Sequence, residues 1–256
     1  IGSMIYVFGG DMLLVVMRHP FFANPFIYMP LLLIGVEKIL RKEKPTLFIG
    51  MVFLSAVSNF YFFYMIVLGT ALYVAVRFFS VSHERIIRDA VSTVFRLLGY
   101  GAIGVLMAGI IFFPVVVHFT ESGRSGAQLL FSMLYKPSYY KKFFTLFMDG
   151  KGLGMSTYIG FPAAAVLGIF FLFTKKKSNT GLKVVFLILT AMLMLPFFGK
   201  MFNGFAYVTN RWCFMYAGFV AYVTVVVWNE FVQSSMARLF WVSALCILYY
   251  ILLVLF

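Results

Sequence analysis

Residues 46–80 read TLFIGMVFLSAVSNFYFFYMIVLGTALYVAVRFFS, with no charge before Arg77. As one helix these 35 residues would run about 52 Å at 1.5 Å per residue. The hydrocarbon core of a bilayer is about 30 Å thick. A single span is therefore far too long. A hairpin that turns near Ser58-Asn59, the strongly polar pair inside the run, divides the stretch into two short legs.

Charge counting separates the two readings. With a hairpin, one side of the membrane holds Lys38, Arg41, Lys42, Lys44, Arg77, Arg85, Arg88, Arg96, Lys175, Lys176, Lys177, Lys183 and Arg238, which is 13 of the 21 basic residues. With one long helix the split is 11 against 10 and the bias disappears. Short cytoplasmic loops carry the excess of Lys and Arg, so the hairpin is the expected topology. Its turn then needs partners from protein or a water-filled cavity, because lipid offers none.

Working outward, the remaining stretches carry the same signature. Apolar runs occur at Phe26–Leu40, Leu98–Phe119, Thr157–Thr174, Val184–Phe198, Trp212–Val227 and Leu239–Phe256. The chain has 256 residues, 63% of them hydrophobic and 11% charged, with mean hydropathy +0.99. Soluble domains carry about 25% charged residues, and a chain this short has too little interior to hide so much apolar surface. The expected fold is all-α, a polytopic transmembrane bundle of about 7–8 membrane helices forming a single domain over residues 1–256.

Between the runs, His83–Leu97 is expected to form an interfacial helix, with Ile86, Ile87, Ala90, Val91, Val94 and Phe95 on one stripe. The long outer loop, residues 120–156, interleaves aromatics such as Tyr135, Tyr139, Tyr140, Phe143 and Phe144 with Lys136, Lys141 and Lys142. Such a segment belongs on the membrane interface. The chain begins without a basic leader and ends inside an apolar run, so it is expected to be a piece of a longer protein.

The net charge of +13 would point to nucleic acid in a soluble protein. Here the basic residues lie in short runs between spans, so they orient the chain in the membrane, and no nucleic-acid partner is expected. Cys213 and Cys246 sit in apolar stretches without metal or redox spacing. No nucleophile-elbow, zinc, phosphate-loop or paired-carboxylate pattern occurs, so no metal and no cofactor is expected.

The candidate site residues lie on the outer side. Arg211 precedes Trp212 at the start of a span and follows the polar turn Gly199–Gly204, which begins with Gly199-Lys200. It reads either as the bidentate grip on a phosphate or as an Arg–Trp interfacial anchor. Lys200 carries the same two readings, and Asn210 lies beside Arg211. Asn59 reads as a cap for the broken helix or as a cavity-lining amide. His19 opens His19-Pro20-Phe21-Phe22-Ala23-Asn24-Pro25, a turn stiffened by its two prolines.

Three blocks resemble a known family. They are residues 18–38 (RHPFFANPFIYMPLLLIGVEK), 53–64 (FLSAVSNFYFFY) and 202–212 (FNGFAYVTNRW), and they are similar to the bacterial YfhO membrane proteins. That resemblance implies a fold like the GT-C glycosyltransferases, polytopic enzymes that use polyprenyl-phosphate sugars outside the cytoplasm. It implies a multi-pass protein of the bacterial plasma membrane. Its partners would be a polyprenyl-phosphate-linked sugar, membrane lipids and an envelope-polymer acceptor such as teichoic acid. Arg211 and Lys200 would then hold the substrate phosphate. GT-C enzymes place a catalytic carboxylate in an early external loop. That loop is expected upstream of Ile1, so the catalytic residue is unassigned and the 256-residue piece alone is expected to be inactive. Asp11 is early and outward but does not align with that carboxylate. Two other readings stay open: a transporter or flippase of lipid-linked substrates, which needs charges deep in several spans, and a non-catalytic membrane scaffold.

Overall fold

The computed structural model describes residues 1–17, 19–80, 86–121, 132–148, 157–174 and 179–255. Among these residues the chain is all-helical: α1 (Gly2–Val7), α2 (Asn24–Leu40), α3 (Thr46–Ser58), α4 (Phe60–Phe79), α5 (Ile86–Met107), α6 (Gly109–Glu121), α7 (Pro137–Phe143), α8 (Ala163–Thr174), α9 (Thr180–Met194), α10 (Pro196–Met201), α11 (Cys213–Val232) and α12 (Met236–Leu255). A π turn, Met12–Val16, and two 3-10 turns, Pro20–Ala23 and Phe144–Phe147, join them. Five helical stretches are long and apolar enough to cross a bilayer: Pro20–Leu40, Phe60–Phe79, Ile86–Met107, Cys213–Val232 and Met236–Val254. Four shorter apolar helices accompany them: α3, α6, α8 and α9.

Two compact units share the chain. One comprises Ile1–Pro20, Phe131–Gly199 and Val208–Phe256; the other comprises Phe21–Leu130 and Lys200–Tyr207.

The second unit contains the hairpin. Its ends are fixed by polar contacts. Asn24, opening α2, donates from its amide to the Ser58 hydroxyl, which closes α3. Glu37, near the end of α2, accepts from Arg77 Nε at 2.7 Å and from the Tyr73 hydroxyl at 2.7 Å, both on α4. So α3 runs antiparallel to α2, and α4 returns to the end where α2 finishes. Lys44 and Arg77 therefore lie at the same end of this unit. Asn59 sits between the legs in an extended conformation and accepts the N–H groups of Tyr61 and Phe62 at 3.0 and 3.2 Å. This is an N-cap, which satisfies two of the donors that a helix start leaves open.

Packing in this unit depends on one close crossing. A Cβ on Gly35 of α2 would lie 2.8 Å from the Phe48 backbone of α3. Only glycine lets the two helices meet there, and Leu32, Val36, Phe48 and Val52 are buried around the crossing.

One expectation is corrected. His83–Leu97 is not a separate interfacial helix followed by a span. From Ile86 the helix continues to Met107, and the interruption falls at Ala108; residues 83–85 lie outside the described set. No helix breaker stands between Phe95 and Gly99, whereas Gly109, directly after the interruption, weakens a helix interior by about 0.5–1 kcal/mol. The charged stripe and the apolar run are thus one 22-residue element.

In the first unit, α8 packs on α11 and α12, and α1 lies along α11. Buried Phe171, Leu172, Val223, Val227 and Val242 form a core cluster among α8, α11 and α12.

Candidate functional site

The start of α11 is the most polar interior region of the first unit. Asn210, wholly buried, stands three residues before that helix. Its Nδ2 donates toward the Thr157 hydroxyl at 2.9 Å, the Tyr135 hydroxyl at 3.1 Å and the Tyr139 hydroxyl at 3.2 Å. An amide nitrogen has two hydrogens, so three acceptors share two protons. The two tyrosine rings stack with centroids 4.1 Å apart. Tyr139 donates onward to the Leu193 carbonyl, and the Tyr140 hydroxyl to the Met194 carbonyl, both at 2.9 Å. Those carbonyls end α9, where Pro196 follows and the helix leaves acceptors open. The knot therefore fastens the segment 132–148 to two helix ends. Burial pushes the Tyr135 hydroxyl up to about 12 and raises Tyr139 as well, so both remain neutral donors.

Asp11 joins this region from the other side. Gly10 N–H donates to the Gly160 carbonyl at 2.7 Å, and a Cβ on Gly10 would lie 3.1 Å from Gly160 N. The glycine allows the N-terminal segment to meet the backbone before α8 directly. Asp11 follows, 7% exposed, within electrostatic range of Cys213, the first residue of α11. It is the one buried acid among the described residues. Burial raises its carboxyl to about 8, because taking the charged form out of water is disfavoured and no cation compensates. The π turn Met12–Val16 comes next, a geometry often found at functional positions.

The expected site residues are distributed as follows. Arg211 is half-buried in the turn that opens α11, next to wholly buried Trp212. A buried indole is not a headgroup anchor, so Trp212 has no place in an aromatic belt. Lys200 is 4% exposed and belongs to the second unit. Its carbonyl accepts from Phe205 N at 2.9 Å, closing a turn in which Gly204 and Phe205 adopt positive φ. The next residue, Met201, receives the Tyr64 hydroxyl on its carbonyl at 3.0 Å, which ties the segment to α4. Asn59 caps α4 as described. His19 is exposed, with its N–H on the Val15 carbonyl at 2.9 Å. The two proposed phosphate ligands thus fall in different units, while Asn210 and Arg211 share the polar end of α11 with Asp11.

Sequence reasoning missed Tyr135, Tyr139 and Thr157 as partners of Asn210, since they lie 53 to 75 residues away. It also missed the burial of Asp11, for which Gly9-Gly10 was the signal. Among the described residues no group of three or more metal-ligating side chains occurs.

A family model described as "Bacterial membrane protein YfhO" matches residues 1–256. The chain belongs to the YfhO family. It is also 27% identical over 237 residues to "Uncharacterized protein YfhO" of Bacillus subtilis (strain 168). That alignment covers 90% of this chain and 25% of the relative, so the chain spans about a quarter of the length of the curated relative it matches. No solved structure matches. Family membership and the apolar helices agree on a multi-pass membrane protein.

Proposed function

We propose that the full-length YfhO-family protein is an integral membrane glycosyltransferase. It would move a sugar from a polyprenyl-phosphate donor to an envelope polymer such as teichoic acid, on the extracytoplasmic face of the bacterial plasma membrane. The observation that supports this reading is half-buried Arg211 at the polar start of α11, between wholly buried Asn210 and Trp212.

In such a transfer a carboxylate takes the acceptor hydroxyl's proton. The acceptor oxygen bonds to the anomeric carbon as the bond from that carbon to the phosphate oxygen breaks. The polyprenyl phosphate leaves with the electron pair. A guanidinium placed at that phosphate offsets the developing charge, and Arg211 is the residue proposed for it. Among the described residues of the spanning helices, Glu37 and Arg77 form an ion pair at an end of the second unit.

Sugar incorporation into the envelope polymer, with protein level measured alongside, tests the proposal in the full-length protein. Arg211→Lys keeps the charge and removes the planar fork. A charge-assisted hydrogen bond is worth roughly 1.5–3 kcal/mol, so activity should fall by about one to two orders of magnitude. Wild-type incorporation in that variant removes Arg211 from the site. Asp11→Asn, run in parallel, separates a base in this segment from one elsewhere in the protein.

A further inference from the structure

The segment 132–148 carries a feature that the transfer reading does not use. Its buried side is Tyr135, Tyr139, Phe143 and Leu146, the last three at helical spacing i, i+4, i+7. It is fastened at several points. Tyr139 and Tyr140 hydroxyls hold the carbonyls that end α9. Tyr140 also accepts the Tyr135 N–H at 3.1 Å, and the Tyr249 hydroxyl of α12 donates to the Phe144 carbonyl.

The opposite side combines two chemistries. Lys136, Lys141 and Lys142 are exposed, and their ammonium groups make no ion pair or hydrogen bond among the described residues. No acidic residue occurs between positions 132 and 148. Beside them Met133, Leu134 and Phe144 are 83%, 59% and 61% exposed. The tie points lie at the end of α9, a 15-residue apolar helix, which puts the segment at the boundary of the apolar layer. Lysines alone would suit any polyanion. Lysines interleaved with exposed apolar side chains, at that depth and on a fixed scaffold, suit a surface that offers phosphates above acyl chains.

We propose that residues 132–148 form a docking surface for anionic phospholipid headgroups. Lys136, Lys141 and Lys142 meet the phosphates, and Met133, Leu134 and Phe144 enter the headgroup boundary. The inference is independent of the transfer reading, since it needs no chemistry at Arg211 or Asp11.

The test uses the purified chain in a neutral detergent and a fluorescent short-chain phosphatidylglycerol, with the phosphatidylcholine analogue as reference. A lysine near an anionic surface contributes about a five-fold factor in affinity; each lipid carries one phosphate, so K136Q/K141Q/K142Q should bind phosphatidylglycerol at least about five-fold more weakly. Binding of the phosphatidylcholine analogue should not change. The K136R/K141R/K142R variant keeps the charge and should bind as wild type does, which separates lost charge from a lost fold. Equal affinity of the wild type for the two lipids overturns the proposal. So does an unchanged glutamine variant. Competition by a soluble polyphosphate as effective as that by phosphatidylglycerol also overturns it, by assigning the surface to a water-borne polyanion.

Discussion

Replacing Asn210 with alanine tests whether the polar knot holds the outer segment in place. The side chain is wholly buried and donates to three hydroxyl oxygens. After truncation Tyr139 keeps its bond to Leu193, and Thr157 keeps Tyr139 at 3.4 Å. Tyr135 has no such substitute among the described residues: its hydroxyl is paired only with Asn210. A buried hydroxyl left unsatisfied costs about 1–3 kcal/mol, and the space of the lost amide adds a cavity term. The expected loss is about 3 kcal/mol. At about 2–4 °C per kcal/mol for a chain of this size, the apparent melting temperature in detergent should fall by roughly 6–12 °C. Limited trypsinolysis localises the effect. Lys136 precedes Pro137 and resists cleavage, so Lys141 and Lys142 report on α7. Loss of even 1.4 kcal/mol from local opening raises cleavage there about tenfold. An unchanged melting temperature together with unchanged cleavage at Lys141 and Lys142 would refute the knot as an anchor.

Two further outcomes follow from the packing and the charge. Asp11 has its folded-state pKa raised from 3.8 to about 8, so the folded state holds its proton more tightly than the unfolded chain. Stability is therefore fully present below about pH 4 and declines as pH rises toward about 8; Asp11→Asn should flatten that decline in melting temperature between pH 5 and 8.5, and a parallel decline in the variant would place its cause elsewhere. Gly35→Ala forces a Cβ to 2.8 Å from the Phe48 backbone and should destabilise by about 1–3 kcal/mol, whereas Gly50→Ala, with nothing within 4 Å, should be neutral or slightly stabilising in the same thermal assay.

The hairpin was legible because two physical limits acted on the same residues. Bilayer thickness forbade a single helix over residues 46–80, and the positions of Lys44 and Arg77 chose the fold-back. The continuity of α5 was not legible, since the change from the charged stripe of residues 86–96 to the apolar run beyond it looks like a boundary although no breaker stands between Phe95 and Gly99. Arg211 and Asn210 stood out as polar residues before an apolar run. What they touch did not: Tyr135, Tyr139 and Thr157 reach Asn210 only through the tertiary path of the outer segment. Asp11 looked outward-facing because Gly9-Gly10, the local sign of a close backbone approach, does not say which segment approaches; it is Gly160 that meets Gly10.

The hairpin also shows how a polar turn is kept at membrane depth. At 1.5 Å per residue, α3 with its 13 residues rises about 20 Å and α4 with its 20 residues about 30 Å. Only the longer leg matches the hydrocarbon layer. If Thr46 begins at the basic surface, Asn59 turns short of the opposite one, where lipid supplies no hydrogen bonds. The turn supplies its own: Asn59 takes the N–H groups of Tyr61 and Phe62, and Asn24 reaches the Ser58 hydroxyl. The segment Lys200–Tyr207 belongs to the same unit, tied to α4 through Tyr64 and Met201, so protein rather than lipid meets the first turn of α4. Lys200 is buried in that segment.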